Sequence, residues 1–437
     1  MRRSPLLDRA GAVPNAVGDP DELVPAHYGD PLREQRLLES AAAVTVLARD
    51  VVAVTGADRL SWLTTLSSQV LTDLTPGDGG VETLVLDAKG RIVHALAALD
   101  DAETLWLVTE AGRGPALVEF LERMRFMLRV EVGVRDDVAV VAALGEGLER
   151  LETAISAVAG DADDAEDSEG SASSASPAVC LGVWRDPWPG VVEGGTSYDV
   201  GLTRPHPGST YRAGFVLVPV EAVGAVVDAF LTAAPGRGPV GSLAWEALRI
   251  EAGRPRWARD VDERAIPHEL DWLRTAVHLT KGCYPGQETV ARTLNLGRPP
   301  RRLTILQLDG LAGRLPAPGA VVRLGERAVG TVTSVTRHHD YGPMALALLR
   351  RGVPADAALT ADITDAVGIA DAAEGSESSD AAEDPEGPAG DDAWSRRGAA
   401  AIARVDAVQE PLVSPEGKAQ ASPAQRPGAG LRRSLLH

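Results

Sequence analysis

Two stretches of this chain cannot help build a hydrophobic core, and they cut the rest into the pieces that can. "AGDADDAEDSEGSASSASP" (159–177) carries six acids between Asp161 and Glu169. "DAAEGSESSDAAEDPEGPAGDD" (371–392) carries nine. Neither holds a basic residue or any apolar periodicity, so neither buries enough surface to offset the entropy of ordering it. The first reads as a disordered acidic insertion within a fold. The second opens a disordered tail over 371–437. The polar, Pro- and Gly-containing residues 1–30 read as a flexible N-terminal arm.

The acids of these two stretches account for most of the formal net charge of −19, and without them the remainder is near −4. A near-neutral body argues against general affinity for nucleic acid or anionic membrane, both of which need a basic surface. No apolar run approaches the ~18 residues of a membrane span. The start "MRRSPLLDRAG" lacks the apolar core of a secretory signal. Two cysteines in 437 residues fit a reducing compartment. The expectation is a soluble, cytoplasmic monomer.

Between the acidic stretches the texture alternates. In residues 31–158, "RDVVAVTG" reads as a strand and "ADRLSWLTTLSSQVL" as a helix with Leu60, Leu63, Leu66 and Val70 at helical spacing. "VETLVLDAKGRIVHALAALD" reads as a hairpin turning at Asp87–Gly90, followed by a strand, a helix and two further strands. Residues 178–297 repeat the mixture. There "AGFVLVPVE" is a strand and "GSLAWEALRIEAG" a helix stopped at Gly253. Residues 298–370 are short strands between Gly and Pro turns, which suits a small antiparallel barrel. The fold class is α+β, with hairpins in place of a regular βαβ alternation.

The densest chemistry lies in "KGCYPGQE", Lys281 to Glu288. It holds one of two cysteines and one of three lysines in a chain that otherwise uses Arg. Residues two apart in an extended segment share a face, so Lys281 and Cys283 can approach. A nearby cation raises the thiolate fraction of a cysteine. The turn at Pro285-Gly286 places Gln287 and Glu288 beyond it. On residue type alone, a lone Cys is more often a small buried hydrophobe and such a turn more often a connector, and both readings stand.

"KGCYPGQETVAR" resembles the hallmark of the YgfZ family of folate-binding proteins, relatives of the glycine cleavage T-protein. Lys281, Gly282, Cys283, Tyr284, Gly286, Gln287 and Glu288 match its pattern K-G-C-aromatic-x-G-Q-E. Upstream, Arg249, Glu251 and Gly253 match R-x-E-x-G, and Pro267 and Glu269 match a later P-x-E. The resemblance covers about 31–355. It implies a three-domain ring with a first folate-binding domain, a second domain carrying the motif and a C-terminal barrel. It also implies tetrahydrofolate or a derivative in the central hole, a role in assembly or repair of iron–sulfur client proteins, and support of tRNA thiomodification, with Cys283 as the functional thiol and Lys281 beside it.

For the folate, Glu251 is the expected acid facing the pterin. Arg249, Arg254 and Arg292 are candidate partners of the glutamate tail. Trp245, Trp257 and Trp272 are candidate cavity walls, or core. The hairpin strand that carries a carboxylate in aminomethyltransferases reads His94-Ala95 here, which weighs against aminomethyl transfer and leaves enzyme status open. His94 is expected as a strand residue, and "RHHD" (337–340) as a hairpin turn, since adjacent strand residues face opposite ways. No metal site is expected. The alternatives are a tetrahydrofolate-dependent one-carbon transferase and a non-catalytic docking protein.

Overall fold

The computed structural model describes residues 1–167, 179–232, 238–364 and 401–423. Two five-stranded sheets and a closed barrel account for nearly all its strands. The first sheet runs Val81–Leu86, Ile92–Asp100, Thr104–Glu110, Arg49–Thr55, Glu131–Val134, antiparallel throughout. Period-2 alternation gives it two apolar faces. Val52, Val54, Leu96 and Leu107 pack on Trp62 and Leu63 of the helix Arg59–Leu66 and on Leu117 and Leu121 of the helix Gly114–Met124. Val51, Leu99, Trp106 and Val108 face the other way, into the largest core.

The second sheet runs Gly182–Arg185, Ala213–Pro219, Val138–Leu144, Ala43–Leu47, Gly238–Pro239. Only its last pair is parallel. Val141 and Ala143 cover the helices Glu146–Asp167 and Val223–Thr232, while Val140 and Ala142 join the largest core. That core gathers the inner faces of both sheets, the helix Ser242–Glu251, and Leu303, Ile305 and Leu346 of the barrel. The blocks expected at 31–158 and 178–297 are therefore interleaved: Ala43–Leu47 and Val138–Leu144, from the first block, are strands of the second sheet.

The barrel order is Arg301–Leu308, Gly342–Arg350, Arg327–His338, Val321–Leu324, Leu359–Ile363, Ala403–Pro411. Its closing strand corrects the reading of 371–437 as a disordered tail. "ARVDAVQEP" alternates, burying Val405 and Ala407, and pairs with both Leu359–Ile363 and Arg301–Leu308. Composition averaged over the tail hides those few apolar residues. Residues 365–400 and 424–437 lie outside the described residues.

Two further expectations change. The helix begun at Glu146 continues to Asp167, into the stretch expected as a disordered insertion. Leu148, Leu151 and Ile155 anchor its first turns, and propagating an existing helix costs far less than starting one. Residues 168–178 lie outside the described residues. Residues 1–30, expected as a flexible arm, are docked. Leu6 and Val24 are buried, and Arg9 pairs with Asp228 at 2.5 Å. Asp21 forms a two-pronged pair with Arg256, at 2.7 and 2.9 Å. Polar composition concealed this attachment because it is made by ion pairs at a handful of positions.

Ending the chain at residue 400 removes the strand that closes the barrel. The expected outcome is a fall in Tm of more than ~5 °C by calorimetry. Replacing 365–400 with a short Gly/Ser linker keeps the strand and is expected to leave Tm within ~2 °C.

Candidate functional site

The motif loop is a joint between parts of the molecule. Gly286 has φ +80°, and a Cβ there would lie 2.6 Å from the Asp87 carbonyl oxygen and 2.9 Å from the Gly90 Cα. The tip of the first-sheet hairpin thus rests on the loop, and only glycine permits that approach. Gln287 opens the helix Gln287–Asn295 and its Nε2 donates to the Lys281 carbonyl at 3.1 Å, closing the loop on itself. Tyr284 is buried and its ring lies 4.9 Å from the Lys281 ammonium.

Lys281 reaches across to the helix Arg59–Leu66. Its Nζ donates to the Thr64 carbonyl and, at 2.5 Å, to the Ser67 carbonyl. A cation suits the unsatisfied carbonyls and negative dipole of a helix C-terminus. Burial lowers the Lys281 pKa to about 8. The bonds of this ammonium are therefore made to the helix end, whereas the sequence reading put it beside the thiol. Cys283 and Gly282 are exposed, with open space around Gly282. The loop is rigid on its inner side and offers Cys283 to solvent on its outer side. Glu288 is also exposed.

Between the two sheets lies a cavity of about 110 Å³. Its walls include Trp184, Tyr211, Phe215, Trp245, Trp257 and Trp272, with Ala95 and Ala97 of the first sheet opposite. Arg254 bridges two buried carboxylates there, with Nη2 2.7 Å from Glu82 and Nε 2.9 Å from Asp186. Glu82 also accepts from Trp272 Nε1 at 2.9 Å and Thr275 Oγ1 at 2.5 Å. Among the described residues Asp186 accepts in addition only from the Trp188 backbone N–H, at 3.0 Å. Burial, with Glu82 adding to it, pushes the Asp186 carboxyl up to about 6 against the pull of Arg254. Arg254 Nη1 and Trp257 Nε1 are buried donors without a hydrogen-bond partner.

The neighbouring arginines are fully committed. Arg256 pairs with Asp21, Glu110 and Glu246. Arg249 pairs with Glu246 and Asp260 at 2.7 and 2.8 Å and also donates to Ser334. Although burial opposes it, Arg249 and Arg256 hold the Glu246 carboxyl well below its usual range.

Of the residues expected around a folate, Trp245, Trp257, Trp272, Arg249 and Arg254 line this cavity. Glu251 does not. It ends its helix in a separate cleft of about 810 Å³ against the barrel, 32% exposed, with its carboxylate 3.2 Å from His338 Nε2. Glu251 lies two positions beyond Arg249, about 200° further round the helix, off the cavity face that Arg249 and Trp245 share. Arg292 is exposed on the helix Gln287–Asn295 and is not part of the cavity wall. His94 is buried on the opposite face of its strand from Ala95 and Ala97, and burial, with Arg113 adding to it, lowers its pKa to about 4, so it is neutral. His338 ends a strand and its turn leads to Gly342, the hairpin read from "RHHD". Among the described residues no group of three or more metal-ligating side chains converges, and no helix is long and apolar enough to cross a membrane.

Sequence reasoning missed Glu82, Glu110, Asp186, Arg256 and Asp21. Glu82 had a signal, being an acid at an inward position of the apolar strand "VETLVL". Asp186 and Asp21 had none, because their role depends on distant partners.

Comparisons with known proteins agree with this architecture. The profile of the CAF17 C-terminal beta-barrel domain matches residues 301–372. A tRNA-modifying protein YgfZ from Edwardsiella ictaluri is 38% identical over 123 residues, 27% of this chain and 37% of that protein. Over that stretch this chain is similar to the YgfZ proteins. The YgfZ of Yersinia pestis is 37% identical over the same extent. A putative chloroplastic transferase of Arabidopsis thaliana, At1g60990, is 38% identical over 103 residues, 24% of this chain and 23% of that protein. The matched stretches thus span well under half of these relatives. Among solved structures, the glycine cleavage aminomethyltransferase T of Bartonella henselae superposes with a TM-score of 0.61 over 82% of this chain and 92% of its own, at 18% identity. The fold is that of the T-protein.

Lys281→Ala leaves two helix-end carbonyls without their cation and is expected to cost about 2 kcal/mol in denaturant unfolding. The iodoacetamide labelling rate of Cys283 at pH 7 is expected to change by less than ~2-fold, because a cation committed elsewhere does little for the thiolate fraction.

Proposed function

We propose that this chain is a folate-binding accessory protein of the YgfZ type, acting in iron–sulfur protein assembly or repair and supporting tRNA thiomodification, with Cys283 as its working thiol. The observation that carries the reading is the Glu82–Arg254–Asp186 cluster set among aromatic walls at the centre of a T-protein fold. A pterin presents N–H donors and a carbonyl along one edge. Glu82 supplies an acceptor, Asp186 an acceptor or, once protonated, a donor, and Arg254 Nη1 and Trp257 Nε1, which have no partner among the described residues, supply donors. The tryptophans offer flat apolar surface.

Size and charge limit how folate would sit. A benzene-sized guest occupies a cavity of ~150 Å³, and this one is about 110 Å³. The space is smaller than that, so it takes only the leading edge of the pterin, and the rest extends outward. Counted with their direct partners, the acids around the cavity outnumber the arginines. The glutamate tail is repelled from this end, so the pterin enters first. Bound folate would supply a one-carbon carrier. The chain's own residues orient the pterin edge and exclude water from it. Cys283 lies outside the cavity wall, so the thiol meets a client protein at the surface and does not attack the folate.

Calorimetric titration with 5-formyltetrahydrofolate tests the site. Glu82→Gln is expected to weaken binding by about 1.5–3 kcal/mol, roughly ten- to a hundredfold. Unchanged affinity would remove the cavity from folate recognition. Cys283→Ala is expected to keep folate affinity while failing to restore tRNA thiomodification in a bacterial strain lacking its own copy of the gene. Turnover of methylene-tetrahydrofolate by the purified protein would favour the transferase reading instead.

A further inference from the structure

The arrangement of Glu82, Asp186 and Arg254 carries an inference about how that cavity takes its ligand. Two carboxylates share one guanidinium in a site walled by aromatic rings. The other arginines of the cavity wall are held by acids of their own: Arg49 by Glu110, Arg249 by Glu246 and Asp260, and Arg256 by Asp21, Glu110 and Glu246. Two anions against one cation leave an uncompensated negative charge, which is costly away from water. A proton on one carboxyl removes it, as in other sites where two acids crowd together.

The hydrogen bonds show which acid would take the proton. Glu82 faces three donors: Arg254, Trp272 and Thr275. Asp186 receives two, Arg254 and the Trp188 backbone N–H. Asp186 is thus the acid whose charge has fewer donors to offset it. Groups packed around Asp186 from other elements do not alter the count. Tyr211 lies beside it, and burial with Asp186 nearby keeps its hydroxyl protonated. His206 packs edge-on to Trp188 and sits 3.4 Å from Asp271.

We propose that the central cavity binds its ligand together with one proton, and that Asp186 holds that proton. This rests on the reading of the cavity as a folate site. Solvent supplies the proton, no covalent bond to the ligand forms, and a carboxylate of net charge −1 becomes a neutral acid. The free protein is already poised for this, since burial, with Glu82 beside it, pushes the Asp186 carboxyl up to about 6 against the pull of Arg254. A ligand that displaces the remaining water raises the value further. The sign follows: above pH 6 the bound state holds more protons than the free state, so affinity rises as pH falls. It levels off below about 6, where both states are protonated. A protonated Asp186 also turns from acceptor to donor, so the cavity would present one acceptor and one donor to a ligand edge.

The test has a ligand-free arm and a ligand arm. Infrared difference spectra of the purified protein against pH read the Asp186 carboxyl directly, with Asp186→Asn identifying its band. A midpoint near 6 is expected, and one in the ordinary carboxylate range overturns the proposal. Calorimetry with 5-formyltetrahydrofolate, in two buffers of different ionisation enthalpy, reads proton uptake. Net uptake at pH 7 is expected, with Kd falling by up to about tenfold per pH unit between 8 and 6. Asp186→Asn is expected to flatten that slope and bind at pH 8 about as tightly as the wild type does at pH 6. Glu82→Gln is expected to weaken binding and keep the slope. Binding without proton uptake, or a slope that survives in Asp186→Asn, overturns the proposal. Failure of the probe to bind at any pH overturns both the folate reading and its coupling to a proton, while the ligand-free titration still decides whether Asp186 is poised to take one.

Discussion

Three buried arginines, Arg249, Arg254 and Arg256, hold the molecule's parts in register. They leave the end of one helix within eight positions of each other, and each departs in a different direction. Arg256 binds the N-terminal segment through Asp21 and the first sheet through Glu110. Arg254 joins the first sheet at Glu82 to the second-sheet segment at Asp186. Arg249 ties its own helix to Asp260 and to Ser334 of the barrel. Guanidinium groups suit this work because each has five donors in a fixed plane and keeps its charge when buried. Buried ion pairs of this kind add little net stability over a packed apolar core, but breaking one leaves an unpaired charge. Their effect is to admit one arrangement of sheets and barrel and to penalise the others.

The same groups explain what sequence reasoning could and could not reach. Helices and strands with a clear apolar period were legible: the helix at Arg59–Leu66, the hairpin turning at Asp87–Gly90, and the helix stopped by Gly253, whose φ is +64°. The barrel was legible from its short strands, and the T-protein fold from the motif. The strand Ala403–Pro411 was lost because the surrounding composition outweighed it, and the docking of residues 1–30 because it depends on a few charges. Site residues followed a similar rule. Those near one another in sequence, such as Trp245, Arg249 and Arg254, were found. Asp21, Glu82, Glu110 and Asp186 come from four separate segments and meet only in three dimensions.

Glu251 and Lys281 show how a motif can be recognised while the contacts of its side chains stay hidden. Both lie within the resembling stretches. Yet Glu251 projects toward the barrel cleft, and the Lys281 ammonium is bonded to a helix end. A motif records which residues a family keeps, and packing at a joint is as good a reason to keep them as reactivity. Here the lysine, Gly286 and Gln287 shape the loop, and that shape leaves Cys283 free at the surface.

The closing strand of the barrel also orders events during synthesis. Arg302 on the first barrel strand is hydrogen-bonded to Gln409 on the last, 107 positions further along. A ribosome that has finished the first strand must make all the intervening chain before that partner exists. At roughly 5–20 residues per second this is a wait of about 5–20 s. Once Gly342–Arg350 has been made, the strand Arg301–Leu308 has that neighbour but one edge still open, and an open edge is a template for pairing with other chains. The nascent protein thus passes through a stage in which both sheets can be complete while the barrel is still an unclosed ribbon.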